Sequence, residues 1–348
     1  TNTAECHPVL FQRLIKRKRR KPGSLTIVVV DPRRTETAKA ADIHLPIAPG
    51  TDLALLHGIA HLVLRDNGQD PAFIDNHTEN YDAFFDVAAR WTPRRVALFC
   101  NIPEKRLREV AQLFHRRENV LSLWSMGVNQ RREGTAVVSG LINLHLLTGQ
   151  IGTEGAGPFS LTGQPNAMGG REAGGLAHLL PGYRLITNQE HRQQLEQGWG
   201  FPAGSIKAQP GLAAWQQVEA MERGELDLWW IAATNPLVSM PDLDRVKAAM
   251  QRCPLVVVSE AYANSETSHY AHLLLPAAQW SEKTGVMTNS ERRVTHCPAF
   301  RRCHGQSRPD WAVFAEVGRR LGFDDQFSYG SSAEVYAEFT QLTKGRLC

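Results

Sequence analysis

The chain has 348 residues, 42% of them hydrophobic and 21% charged, which is the composition of a folded globular protein with apolar mass for two cores and excludes a disordered or fibrous chain. The formal net charge of +4 rests partly on one run, Lys16-Arg17-Lys18-Arg19-Arg20-Lys21, that no aromatic residue interleaves, so it reads as a solvated helix end and not as a nucleic-acid surface. Six scattered cysteines favour reduced thiols in the cytosol, and the longest uncharged stretch, Thr135 to Thr153, carries Ser139, Asn143, His145 and Gln150, too polar for a bilayer span.

In chain order, Leu25 to Val30 is apolar and β-branched apart from Thr26, which predicts a strand covered on both faces in a parallel sheet. Asp31-Pro32-Arg33-Arg34 turns the chain, and Thr35 to Ala41 reads as a short helix. Pro49-Gly50-Thr51-Asp52 then opens a helix from Leu53 to Leu64, with Thr51 or Asp52 as its N-cap. Arg95 to Cys100 reads as a second strand, followed by an amphipathic helix from Glu104 to Phe114 behind Pro103. Val120 to Trp124 is the next strand, and Thr135 to Thr153 a buried helix. A second series follows: strand Leu226 to Ala232, helix Leu243 to Met250, buried strand Leu255 to Val258. Strands alternating with helices argue for repeated βαβ units. Residue 1 is not Met and no apolar leader is present, so a piece of a longer polypeptide is expected.

The two series share a sequence repeat. ETAKAADIHLP (36–46) and ETSHYAHLLLP (266–276) are identical at five of eleven ungapped positions, and each follows a buried strand. Between them, nine of the 28 glycines fall within residues 149–175. Because Phe, Leu, Met, Asn, Gln and Arg interleave those glycines, the segment reads as the lining of a ligand cleft, not as a flexible linker.

An acidic or small polar residue at the C-terminal end of a buried strand stands where open α/β sheets bind ligands, and a carboxylate there can take both ribose hydroxyls. Asp31 and the pair Ser259-Glu260 hold that place in the two repeats. The same residues serve a structural turn as readily. In the first copy, Arg33 to Thr37 offer free N–H groups and guanidinium donors to a phosphate, and Asp52 can accept from a guanine edge. No GxxxxGK[ST] occurs and no GxGxxG follows a strand, which removes support from ATP hydrolysis and simple NAD binding. His296-Cys297 and Cys303-His304 are adjacent pairs that do not easily converge on one zinc ion.

Four segments, DPRRTETAKAADIHLPIAPGTDLAL (31–55), LWSMGVNQRREGT (123–135), LTGQPNAMGGREAGGLAHLLPGYR (161–184) and AAQWSEKTGVMTNSERRV (277–294), together resemble the molybdopterin oxidoreductase superfamily, and within it the assimilatory nitrate reductases. The opening TNTAECHPVLF is similar to a nucleotide-contacting segment of that family. The resemblance implies an α/β fold of two related dinucleotide-binding-like lobes, with mostly parallel sheets flanked by helices. Residues 1–124 would meet one guanosine, and residues 125–345, with a Gly-rich cleft segment at 149–184, the second. The implied cofactor is molybdenum bis-(molybdopterin guanine dinucleotide). Asn2, Glu5, Asp31, Pro32, Arg33, Thr35, Gly50, Thr51 and Asp52 would contact the first guanosine. Asn235, Ser259, Glu260, Lys283 and Asp310 would contact the second, although the family often has Asp where Glu260 stands. Met126 and Gln130 would approach the pterin and the metal face, and Arg33, Arg34, Lys283, Arg292 and Arg293 the phosphates.

The implied activity is a two-electron oxygen-atom transfer that reduces nitrate to nitrite, with Arg171, Gln164 and Asn166 receiving the anion. The implied partners are nitrate and an electron-donor protein or reductase subunit, with no nucleic acid and no membrane, in the cytoplasm. The metal ligand and a [4Fe–4S] cluster are expected in a missing N-terminal part, so these residues alone are expected to be inactive. Periplasmic nitrate reductase, formate dehydrogenase and a non-catalytic electron-transfer subunit are the alternatives.

Overall fold

A computed structural model describes residues 1–115 and 119–347. The chain forms two compact units, Thr1–Gln164 and Pro165–Cys348.

In the first unit β1 (Val28–Val30) runs parallel to β2 (Ile43–Leu45), with Val28 opposite Ile43 and Val30 opposite Leu45. The connection holds the helix Glu36–Lys39, whose N-cap Thr35 accepts the Ala38 N–H at 3.2 Å. A second parallel pair, β3 (Leu121–Trp124) and β4 (Gly157–Ser160), brackets the helix Gly134–Leu147. The first unit therefore runs past Trp124, where the sequence reading ended its first lobe, because β4 returns to pair with β3.

The core of this unit is built on the helix Asp52–Arg65, which buries Leu55, Leu56, Ile59, Leu62 and Val63 against Val96, Leu107, Val110, Val137 and Leu144. Each such side chain contributes roughly 1.5–3 kcal/mol on burial. A Cβ at Gly58 would lie 2.6 Å from a methyl of Val96, so glycine is what lets the helix Pro93–Cys100 approach.

That helix corrects the strand expected at Arg95–Cys100. Pro93 occupies the first turn, and Thr92 caps it by accepting the Arg95 N–H at 3.4 Å. Val96 and Cys100, four residues apart, are both fully buried, while Leu98 remains 76% exposed. Spacing of four, not two, governs the burial. A second correction concerns the opening strand, which is only three residues long; Val29 is buried but Val30 is exposed, so it is not covered on both faces.

The second unit opens with the helix Ala167–Glu172, followed by a short antiparallel pair, β5 (Leu179–Leu180) and β6 (Arg184–Leu185). Its main sheet is parallel, β7 (Leu228–Ala232), β8 (Leu255–Glu260) and β9 (Leu273–Pro276), with β8 central. The helices Ala214–Glu222 and Leu243–Arg252 bury Val218, Met221, Val246 and Met250 among Trp229, Ile231, Val256 and Val258. Trp230, between Trp229 and Ile231, alternates outward and meets Phe314 of the helix Asp310–Arg320, ring centres 4.7 Å apart. An antiparallel hairpin, β10 (Gly285–Thr288) and β11 (Val294–Cys297), completes the unit. The architecture is thus α/β, with small, mostly parallel sheets flanked by helices. The basic run closes the helix Pro8–Arg20, and Lys18 pairs with Asp42 at 2.6 Å. Among the described residues no helix is long and apolar enough to cross a membrane.

Candidate functional site

The repeat seen in the sequence is a repeat in space. In register, Val28 corresponds to Val257, so Asp31 corresponds to Glu260, each just beyond or at the end of a parallel strand. Asp31 Oδ1 accepts the Arg33 N–H at 2.8 Å. Glu260 Oε1 accepts the N–H groups of Ala261 at 2.7 Å and Tyr262 at 3.4 Å. One oxygen of each carboxylate is held by backbone, and the other accepts no hydrogen bond from the described residues. Arg33 and Arg34, next to Asp31, are exposed.

The correspondence runs through side chains that differ. Asp42 Oδ2 accepts the Ile27 N–H at 2.8 Å, and at the matching place His272 Nδ1 accepts the Val256 N–H at 2.9 Å. Each ties the residue before the second strand of its pair to the first strand, at Ile27 just before β1 and at Val256 within β8. His44 adds a contact of its own, donating from Nε2 to the Asp31 carbonyl at 2.8 Å. Thr35 caps Ala38 as Ser265 caps Ser268, at 3.2 Å in both.

Each unit also clamps one asparagine. Thr37 Oγ1 donates to Asn2 Oδ1 at 2.7 Å and accepts the Ala4 N–H at 2.9 Å. Thr267 Oγ1 donates to Asn235 Oδ1 at 2.6 Å and accepts the Leu237 N–H at 3.2 Å. Both threonines are buried. The copies differ at the amide nitrogen. Asn235 Nδ2 donates to Glu266 at 2.7 Å, a bond that holds the Glu266 carboxyl below its ordinary range. Asn2 Nδ2 is buried with no partner, because Glu36, in the place of Glu266, pairs with Lys39 instead. An unsatisfied buried donor costs on the order of 1–3 kcal/mol until an acceptor arrives.

The other expected contacts fall as follows. Thr51, the N-cap of the helix Asp52–Arg65, donates its hydroxyl to the Ala48 carbonyl at 2.7 Å. Asp52 is bound to Arg131, and at Gly50, with φ +89°, a Cβ would meet the Arg131 guanidinium at 3.6 Å, an ordinary contact. Glu5 and Pro32 are exposed. Ser259 is buried and accepts the Trp230 indole N–H at 2.9 Å. Lys283 and Asp310, both assigned to the second guanosine, pair with each other. Arg292, assigned to phosphate, donates to the buried Glu172 at 3.2 Å.

Trp124 and Ser160 lie opposite each other at the ends of β3 and β4, so the segments that follow leave the sheet together. Trp124 Nε1 donates to Asn129 Oδ1 at 3.0 Å and closes the turn Met126–Asn129, leaving Met126 and Gln130 exposed. Gln164 Nε2 reaches the Met126 sulfur at 3.6 Å. In the second unit Asn166, at φ +59°, accepts the Thr288 N–H at 2.9 Å, and Arg171 is exposed on the helix Ala167–Glu172. Among the described residues no group of three or more His, Cys, Asp or Glu side chains converges as a metal site.

The family model for molybdopterin oxidoreductases matches residues 1–320. The chain belongs to that family. It is 56% identical, over its whole length, to a nitrate reductase of Synechocystis sp., of which it covers 49%. It is 39% identical over 360 residues to a periplasmic nitrate reductase of Desulfovibrio desulfuricans, covering 99% of this chain and 47% of that one. The chain thus spans about half the length of these relatives. In fold it is similar to acetylene hydratase from Pelobacter acetylenicus, with a TM-score of 0.74 at 17% identity over 97% of this chain and 48% of that one.

Thr267, Glu266 and Arg131 stand outside the expected site residues, and Thr37, expected only as the end of a phosphate-facing segment, is instead the partner of Asn2. For Thr37, Thr267 and Glu266 a signal existed, since Glu36-Thr37 and Glu266-Thr267 are two of the five identities in the repeat. Nothing local marks Arg131 as the partner of Asp52.

The arrangement fits a nucleotide in each unit. It offers a strand-end carboxylate with one unpartnered oxygen for a diol, an asparagine whose carboxamide is fixed, and, in the first unit, exposed guanidiniums and a buried donor lacking an acceptor.

Proposed function

We propose that the chain supplies the nucleotide-holding part of a molybdenum bis-(molybdopterin guanine dinucleotide) nitrate reductase, one guanosine in each unit. The observation that carries this reading is the duplication: a cofactor with two guanosines calls for two similar half-sites, and the carboxylate and asparagine clamp occur twice. Its family and its 56% identity to a nitrate reductase support the substrate. When bound, the cofactor supplies two-electron oxygen-atom transfer, reducing nitrate to nitrite.

This chain's residues bind and orient. Asp31 and Glu260 accept from ribose hydroxyls through their unpartnered oxygens. Asp52 accepts from guanine, exchanging Arg131 for the base. Arg33 and Arg34 neutralise phosphate. Met126 and Gln130 border the pterin, while Arg171, with Asn166 of the same unit, attracts and orients the nitrate anion. Electrons arrive from a donor protein or reductase subunit through a [4Fe–4S] cluster held by residues outside these 348, in the cytoplasm, with no membrane or nucleic-acid partner. The 348 residues alone do not turn over nitrate on this reading.

The test is chemical. A full-length nitrate reductase polypeptide containing these residues, purified with its cofactor, should release two guanosine monophosphates per molybdenum on acid hydrolysis and oxidise reduced viologen with nitrate, whereas the 348 residues alone should not turn over nitrate. Release of another nucleotide, or of none, contradicts the reading.

A further inference from the structure

We propose that Thr37 and Thr267 are positioning residues that set the amide orientation of Asn2 and Asn235 for a purine nucleotide, and that Glu266 is a built-in competitor that occupies the Asn235 donor until the nucleotide displaces it. This rests on the nucleotide reading above and goes beyond it, since it assigns residues that touch the asparagines and not the ligand.

A threonine hydroxyl has one proton and two lone pairs. In both units the hydroxyl already accepts a backbone N–H, from Ala4 at 2.9 Å and from Leu237 at 3.2 Å. In both units its proton is donated to the asparagine, at 2.7 Å and 2.6 Å. Only the carboxamide oxygen can receive it, so the NH₂ end is forced away from the threonine. In the second unit the Thr267 N–H also points at Asn235 Oδ1, at 3.3 Å, which fixes the same choice twice. The same logic appears in two units whose clamped segments, Asn2-Thr3-Ala4 and Asn235-Pro236-Leu237, share only the asparagine. The two copies have diverged around the clamp and keep the same donor direction.

The copies diverge at the freed NH₂. Glu266 takes it in the second unit. In the first, Lys39 draws Glu36 aside and the donor has no partner; the residue in the place of Lys39 is His269. The first half-site therefore has no carboxylate on its asparagine, and the second has an exposed one to displace.

The probe is GDP, titrated calorimetrically into the protein freed of cofactor. Thr267→Val should weaken binding about tenfold, the effect of losing one oriented hydrogen bond, while Thr267→Ser, which keeps the hydroxyl, should restore it. Glu266→Ala, at an exposed position that leaves the clamp intact, should tighten binding to the second unit severalfold. A rescue by serine separates positioning from packing, because valine and threonine have the same shape. Binding by the parent that Thr267→Val leaves within twofold, or that Glu266→Ala weakens, overturns this inference while leaving the nucleotide reading intact. No GDP bound by the parent overturns both.

Discussion

The two units solve one problem with different degrees of internal satisfaction. In the second, Glu260 receives two backbone N–H groups and Asn235 is bonded at both ends of its carboxamide. In the first, Asp31 receives one and Asn2 keeps a buried donor unpaired. A site that satisfies itself is stable without ligand but must give something up to bind. A site left unsatisfied costs stability until it binds. The pair thus differs in when its hydrogen bonds are completed, and the shared βαβ frame makes that difference measurable.

The largest expected effect separates the units by pH. His145, fully buried in the first unit, meets Ser122 at 2.7 Å, and burial lowers its pKa to about 4. A folded pKa below the unfolded value of about 6.5 means stability that is present above pH 6.5 and is lost as pH falls toward 4, on the order of 3 kcal/mol in all. The first unit should therefore lose more stability than the second between pH 7.5 and pH 4.5 in urea, as followed by hydrogen exchange of each unit's core. A His145→Gln variant whose first unit keeps the same pH dependence would show that another group is responsible.

Next in size are the strand-end carboxylates. Asp31→Asn should weaken guanine nucleotide binding in the first unit by ten- to a hundredfold, the range for loss of a charge-assisted hydrogen bond. Glu260→Gln should cost the second unit less, because its longer arm is held by two N–H groups rather than one. Equal losses, measured by calorimetry, would remove this part of the contrast.

How much of this was legible in the sequence depends on distance along the chain. The strand Leu255–Glu260, the helices Asp52–Arg65 and Leu243–Arg252 and the N-cap at Thr51 follow from local patterns. Arg95–Cys100 was misread because a short apolar run has no period long enough to choose between helix and strand, and the deciding contacts, Val96 against Gly58, come from elsewhere. The carboxylates at Asp31 and Glu260 stood out because strand ends announce themselves. The clamps did not, since Thr37 meets a residue 35 positions away and Thr267 one 32 away. The Asp52 partner lies 79 positions on, beyond any local signal. Ser259 and the Lys283–Asp310 pair carry the same lesson from the other side, because a polar residue near a site is often spoken for by its neighbours.

The smallest expected effect converts one unit into the other. Lys39→Met should free Glu36 to take the Asn2 donor, giving the first unit the second unit's competitor and weakening its binding a fewfold. His269→Lys should draw Glu266 from Asn235 and strengthen the second. These shifts are about 0.5–1 kcal/mol, the scale of one exposed ion pair, and are read by the same titration. Changes of opposite sign would mean that the glutamates do not compete for the asparagines.

The central claim is that each unit holds one guanosine. Native mass spectrometry of the protein with GDP tests it most directly. At a GDP concentration that just saturates the parent, the account requires two GDP molecules on the parent, predominantly one on Asp31→Asn, a reduced share of the second on Glu260→Gln, and the lowest occupancy on the double variant. A single GDP on the parent, or two on the double variant, would contradict it.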